Sequence, residues 1–169
     1  MRYMSTPTSG YLDAINHLPR GATLVFHAVG WKDYTGVLEE LEERPHFRVS
    51  YDSGRLEVMS PLPEHDYYAD FIRVLVRAVA DELGIAIEGY GSTTWKRESL
   101  GKGVEADASF YVANADRITD RIHIDLESDP PPDIVVARAD AGHFDNQPSR
   151  SCRRIFKSNS DRFSHLIDC

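Results

Sequence analysis

The chain has 169 residues and a formal net charge of −8, with 41% hydrophobic and 27% charged residues. These values are typical of one globular domain and argue against a disordered chain. The negative charge also argues against tight, non-specific binding to nucleic acid, although a local basic groove can lie on an acidic body.

Several other classes are excluded by what the sequence lacks. It has no run of 18 apolar residues, and its first residues lack the apolar core of a signal peptide. Cys152 and Cys169 are too few for a disulfide framework or a zinc site. We therefore expect a soluble cytoplasmic protein with no membrane partner.

Hydrophobic periodicity and turn residues predict a mixed succession of helices and strands. In chain order, the expected elements are a helix at 11–18, a strand at 22–28, a helix at 31–44, a hairpin at 47–51 and 55–59, a helix at 64–83, strands at 85–90, 92–98 and 103–112, a helical turn at 114–118 and a strand at 134–136. The helix at 64–83 is the longest. Its predicted apolar stripe consists of Tyr68, Phe71, Ile72, Leu75, Val76, Val79 and Leu83.

The stretch 103–112 carries two acids on a predicted strand. Strand alternation places Glu105 and Asp107 on one face with Ser109 and Tyr111, and small or apolar residues on the other. A carboxylate held on a strand is a rigid way to hold a metal ion. The alternative is that this face is simply solvated.

Four further residues are candidates for a site. Glu57 lies on the return strand of the hairpin, where a salt-bridged surface position is the alternative. Lys96 and Arg97 project to opposite faces of their strand, so that one of them can share a side with the acids. His65 begins the long helix, where it can cap the helix, bind phosphate or be solvated.

Residues 137–169 differ in character from the preceding chain. They are rich in Arg, Ser, Asp and Asn, and their apolar residues follow no helical or strand period. No element is predicted there. We expect a domain at 1–136 followed by an atypical, disordered or frameshifted tail at 137–169.

The chain resembles the Uma-type endonuclease family of the PD-(D/E)xK nuclease superfamily. The resemblance covers residues 15–136 and rests on His65 and five segments: 18–23, 54–61, 96–98, 103–112 and 129–136. It implies a restriction-endonuclease-like α/β (α+β) fold, with a central mixed sheet flanked by helices. It also implies a metal-dependent endonuclease that hydrolyses DNA phosphodiester bonds in the presence of Mg²⁺ or Mn²⁺.

The resemblance assigns roles to individual residues. Asp107 matches the central metal-binding aspartate, Glu57 matches the acid on the preceding hairpin, and Lys96 is the candidate for the charge-stabilising lysine. His65 and Arg97 are candidates for substrate binding. Nucleases of this fold often act as dimers, and a homodimer is therefore an open expectation alongside DNA as the partner.

The sequence departs from the family in two places. Ala106 replaces the usual proline before the aspartate, and Ala137 replaces the glutamate that serves as the second metal carboxylate. At about 3.3 Å per strand residue, neither Asp133 nor Asp140 reaches the same ion. We hypothesise that the reading frame shifts after codon 136; the absence of a family-like continuation in the other two frames would contradict this.

Three interpretations of function follow. The first is an endonuclease impaired by the alanine at position 137. The second is a catalytically inactive nuclease fold that binds nucleic acid or protein. The third is a translation product with no biochemical role, which the irregular composition after residue 137 favours.

Overall fold

The structure, a computed structural model, describes residues 8–42, 44, 47–61, 64–138, 153–159 and 162–166. Within these residues it contains four α-helices, one short 3₁₀ helix and ten strands. The helices are α1 (Thr8–Asn16), α2 (Trp31–Leu41), α3 (Glu64–Leu83) and α4 (Ala115–Ile118), and the 3₁₀ helix is Glu98–Leu100. The strands are β1 (Thr23–Phe26), β2 (Arg48–Asp52), β3 (Arg55–Met59), β4 (Glu88–Tyr90), β5 (Thr93–Arg97), β6 (Lys102–Ala106), β7 (Ala108–Tyr111), β8 (Ile134–Arg138), β9 (Arg153–Asn159) and β10 (Arg162–Leu166).

This arrangement confirms the expected α+β class and is consistent with a restriction-endonuclease-like fold. The strands form two five-stranded sheets, ordered β1-β3-β2-β6-β5 and β10-β9-β8-β7-β4. The expected central mixed sheet thus takes the form of two sheets. Every strand pairing whose register is resolved within the described residues is antiparallel.

The chain divides into two compact units, each described here by itself. The first comprises Met1–Pro63 and Lys96–Glu105. Its centre is the predicted hairpin β2–β3, whose turn places Ser53 and Gly54 at positive φ angles of 49° and 95°. Glycine adopts such angles without a steric penalty, which is why the turn signal was readable from sequence. The core of this unit includes Ile15, Tyr34, Val37, Leu56 and Val58.

The second unit comprises Glu64–Trp95 and Ala106–Cys169. Ile72 and Val76 of α3 pack on a buried cluster formed by Ala108, Phe110 and Val136. The helix ends at Leu83 and is followed by Gly84, whose φ of 63° is the left-handed conformation of a helix C-cap, as the sequence predicts.

The predicted strand 103–112 is interrupted at Asp107, which separates β6 from β7. The predicted polar face is also wrong for β7, because Ser109 and Tyr111 are both 0% exposed. β7 lies between β8 and β4, with apolar or aromatic side chains on both faces. Strand alternation cannot identify such a strand, since both of its faces are buried.

The predicted apolar stripe of α3 is only partly buried. Ile72 and Val76 pack on the cluster of the second unit, whereas most of the other stripe residues are exposed. The sheet therefore contacts one edge of the stripe rather than its middle.

Two strands lie where the sequence predicts no element. β9 pairs with β8 and β10 pairs with β9, both antiparallel, which extends the second sheet. Backbone pairing between strands does not require apolar periodicity. These strands lack such a period, so the sequence pattern could not predict them. The domain boundary after residue 136 stays a prediction. The sequence also has a basic cluster in this segment, Arg150, Arg153, Arg154 and Lys157, whose side chains lie outside the described residues.

Candidate functional site

Asp107 occupies the one-residue break between β6 and β7 and is half-buried. Its backbone amide donates a hydrogen bond of 2.8 Å to the carbonyl oxygen of Val136 in β8. The next residue, Ala108, is in register with Val136. The backbone of Asp107 is therefore held beside the end of β8.

Ala137 follows Val136 directly and is 1% exposed. This is the position at which the family resemblance implies a second acid. The structure thus agrees with the expectation that β8 brings position 137 to the neighbourhood of Asp107. A methyl group, rather than a carboxylate, occupies that position.

Arg73 is a residue that sequence reasoning missed. From α3, its guanidinium donates to the backbone carbonyl oxygen of Asp107 and forms an ion pair with Asp70. Its Nε is buried and has no hydrogen-bond partner among the residues that the structure describes. The backbone of Asp107 is consequently held on both sides, by Val136 through its amide and by Arg73 through its carbonyl. The sequence predicts that Arg73 lies outside the apolar stripe of α3, but it does not predict the contact of Arg73 with the carbonyl of Asp107.

Polar groups near the ends of β7 have structural partners. Ser109 accepts a hydrogen bond of 3.0 Å from the indole nitrogen of Trp95. The carboxylate of Asp133 accepts hydrogen bonds of 2.7 and 2.9 Å from the amides of Val112 and Ala113. Asp133 is therefore engaged by the backbone, which is a reason beyond distance why it does not substitute for an acid at 137.

Glu57 lies in the first unit, on β3, in register with Val25 of β1 and Ser50 of β2. It forms an ion pair of 2.5 Å with Arg55. One sequence interpretation of Glu57 is a salt-bridged residue at the surface. The salt bridge is present, but the surface location is wrong, because Glu57 is only 6% exposed.

Glu105, also in the first unit, accepts a hydrogen bond of 2.6 Å from the amide of Val49. Burial raises the pKa of the nearby Tyr34 hydroxyl, and the charges of Glu105 and Tyr51 raise it further. Glu105 therefore has a structural contact with the neighbouring strand β2.

The other three candidates occupy different settings. Lys96 is exposed on β5, and Arg97 donates from Nε to the hydroxyl of Ser99 at 3.2 Å. His65 lies in the first turn of α3, and its side chain is outside the described residues. Glu57, Lys96 and Arg97 belong to the first unit, and Asp107 and His65 to the second.

The donor set of the described residues does not complete a metal site. They contain no group of three or more His, Cys, Asp or Glu side chains that could hold an ion. The position expected to supply the second carboxylate is the buried Ala137. The assignment of Asp107 and Glu57 as metal ligands stays a prediction.

None of the helices in the described part of the chain combines the length and the apolar character needed to cross a membrane.

Comparison with known protein families agrees with the resemblance seen in the sequence. A family model with the description "Uma2: Putative restriction endonuclease" matches residues 36–137. The match covers more than half of the chain and ends at Ala137, the position where the resemblance to the family is lost. Searches of curated proteins and of solved structures gave no match. On the strength of the family match, the chain belongs to the Uma2 family of restriction-endonuclease-type proteins.

Proposed function

We propose that the chain is an endonuclease-type protein that acts on DNA phosphodiester bonds with Mg²⁺ or Mn²⁺, and whose activity is strongly reduced by the alanine at position 137. Family membership supports the nuclease class. The observation that carries the proposal further is the fixed backbone of Asp107, which is hydrogen-bonded to Val136 and Arg73. A carboxylate on a held backbone is what a reaction at a charged phosphodiester needs, because small displacements are costly in such sites.

The reduction in activity follows from the donor set. In phosphodiester hydrolysis, a bound divalent cation supplies an activated water and neutralises developing charge. Carboxylate oxygens are the ligands that Mg²⁺ prefers, and a methyl group at position 137 offers none. The contribution of Asp107 is a carboxylate whose backbone is fixed by Val136 and Arg73.

A second candidate function is DNA binding without hydrolysis. The specific observation in its favour is Ala137, which is buried beside the residue that holds Asp107. A fold that has lost a ligand keeps its surface and its strand order, so binding survives the loss of chemistry.

The experiment is a plasmid-nicking assay of the full chain in Mg²⁺ and in Mn²⁺, run beside a gel-shift assay in EDTA. Slow nicking that Asp107→Asn abolishes, and that Asp81→Asn leaves unchanged, supports the first candidate. Asp81 is a matched control because it is an exposed acid on α3. A gel shift without nicking supports the second candidate. Nicking that survives Asp107→Asn contradicts the role of Asp107. If the chain shows no nicking and no gel shift, both candidate functions are contradicted.

A further inference from the structure

We propose that the outer face of α3 binds a second copy of this chain, with the two helices antiparallel across a two-fold axis at Leu75. The outer face is defined by seven large apolar side chains that are 50–72% exposed: Tyr67, Tyr68, Phe71, Val74, Leu75, Val79 and Leu83. Soluble monomers rarely leave so many large apolar side chains together in water.

The outer face is continuous and one-sided. At about 100° per residue, its members cover roughly half of the circumference of the helix, with Leu75 near the middle. Ile72 and Val76, which pack on the second sheet, lie at one edge of this half. The charged residues Asp70, Arg73, Arg77 and Asp81 lie in the opposite half, whereas Glu82, seven residues from Leu75, lies within the outer face. The fold therefore leaves an apolar strip about four turns long whose large side chains are at least half exposed.

The area of the outer face suits a dimer. A large aromatic side chain has about 150–250 Å² to bury. With three aromatic and four aliphatic members at least half exposed, the face offers on the order of 700 Å². The largest apolar patch of a typical monomer is roughly 300–600 Å², and a standard interface buries about 800 Å² on each partner. A second copy is thus an occupant of the right size.

The distribution of side chains favours the antiparallel arrangement. Tyr67, Tyr68 and Phe71 occupy the N-terminal half of the face, and smaller aliphatic side chains occupy the C-terminal half. A two-fold axis at Leu75 packs the large rings of one copy against the small side chains of the other, so the surface is complementary to itself. It also places Glu82 opposite position 68 of the partner's α3, so that the two copies of Glu82 lie about 21 Å apart along the helix. A parallel pair would place Glu82 against its own copy.

Sedimentation equilibrium of the full chain tests the proposal. We expect a concentration-dependent dimer that Leu75→Glu converts to a monomer, because two like charges would meet at the axis. Ile122→Glu is the matched control, since Ile122 is an apolar residue outside α3 that is 104% exposed. It should leave the dimer unchanged. Circular dichroism shows whether each variant retains its helix content.

Cysteine cross-linking tests the direction of the helices in a background in which Cys152 and Cys169 are replaced by serine. Leu75→Cys should form a disulfide-linked dimer, because a disulfide needs Cα atoms within about 7 Å. Leu83→Cys should not, because eight residues from the axis at 1.5 Å each separate the two sites by roughly 24 Å along the helix. A monomer at every concentration, a dimer that survives Leu75→Glu, or efficient cross-linking through Leu83→Cys overturns the proposal.

Discussion

The amide of Asp107 donates a 2.8 Å hydrogen bond to the carbonyl oxygen of Val136. This contact links the predicted metal-binding aspartate to the strand that carries position 137. Because Ala137 is the next residue along β8, position 137 lies one residue from the backbone hydrogen bond that holds Asp107. The predicted metal-binding aspartate and the position at which the family resemblance implies a second acid are therefore neighbours in the second sheet.

The first prediction concerns Ala137→Glu. Placing a carboxylate at a position that is 1% exposed should lower the free energy of unfolding by about 3–5 kcal/mol in EDTA, because the buried charge has no compensation. Mn²⁺ should recover part of this loss by binding the new carboxylate, and nicking activity should rise without reaching that of an intact site. Thermal denaturation with and without Mn²⁺ measures the effect.

Ala137→Gln is the control for this substitution, since it has nearly the same size and no charge. We expect it to lose about 1–3 kcal/mol by overpacking and to show no response to Mn²⁺. Equal responses of the glutamate and glutamine variants to Mn²⁺ would show that position 137 is not part of a metal site.

The second prediction concerns Arg73, whose guanidinium joins Asp70 to the carbonyl of Asp107. Arg73→Ala should lower the free energy of unfolding by about 1–3 kcal/mol, because a partly buried carbonyl loses its donor. Arg73→Lys should recover only part of this, since an ammonium group cannot reproduce the planar fork that contacts two acceptors. Urea denaturation measures both changes.

Arg77→Ala, one turn further along α3 and exposed, is the control and should change stability by less than about 0.5 kcal/mol. If Arg73→Ala is no more destabilising than this control, the contact with Asp107 contributes nothing to the fold.

Local sequence signals predicted the elements of this fold well where one short segment determines its own structure. The bounds of α3, 64–83, and of the return strand β3, 55–59, agree with the structure because the helical period, Gly84 and the turn at Ser53-Gly54 are all local. The family resemblance likewise selected Asp107 and position 137 as candidate site positions from neighbouring residues, and their roles stay predictions.

Tertiary contacts decided what the sequence did not reveal. Ser109 looked like a residue of a solvated face, but Trp95, 14 positions away, supplies the hydrogen bond that permits its burial. Arg73 lies outside the predicted apolar stripe, and its contact with a carbonyl 34 positions away could not be predicted from neighbouring residues. β9 depends on pairing with β8 rather than on a period of its own. Each of these requires knowledge of which distant segments meet.

The third prediction concerns Gly103→Ala. A Cβ atom at this position would lie 2.0 Å from the hydroxyl oxygen of Tyr34, well inside van der Waals contact. The ring cannot move aside easily, because it is 0% exposed and stacked on Tyr51 at a centroid distance of 4.6 Å. We expect a loss of at least about 1–3 kcal/mol in the free energy of unfolding, measured by urea denaturation.

Gly91→Ala is the matched control, because a Cβ atom at that position would meet nothing within 4 Å. It should leave the stability within about 0.5 kcal/mol of the parent chain. Equal effects of the two substitutions would mean that the close approach of Tyr34 to Gly103 is not a constraint.

The fourth prediction concerns stability in alkali. The hydroxyl of Tyr34 is buried and has no hydrogen-bond partner within the described ranges, and burial raises its pKa above the ordinary value of 10.0. Above pH 10 the unfolded chain releases this proton while the folded chain retains it. The contribution of this hydroxyl to the free energy of unfolding is therefore fully present below pH 10. It is lost as the pH rises from 10 towards the higher pKa of the folded state. Tyr34→Phe should be neutral or slightly stabilising at pH 7, and should lose less stability than the parent chain between pH 9 and pH 11.

Tyr111→Phe separates the two parts of this expectation, because burial raises the pKa of Tyr111 as well but its hydroxyl donates a 3.0 Å hydrogen bond to the carbonyl of Pro130. Its removal should also reduce the loss in alkali, yet it should cost about 0.5–1.5 kcal/mol at pH 7. Urea denaturation at several pH values measures both variants. If Tyr34→Phe is as sensitive to alkali as the parent chain, the Tyr34 hydroxyl is not held neutral by burial, and its lack of a partner is then compensated by solvent.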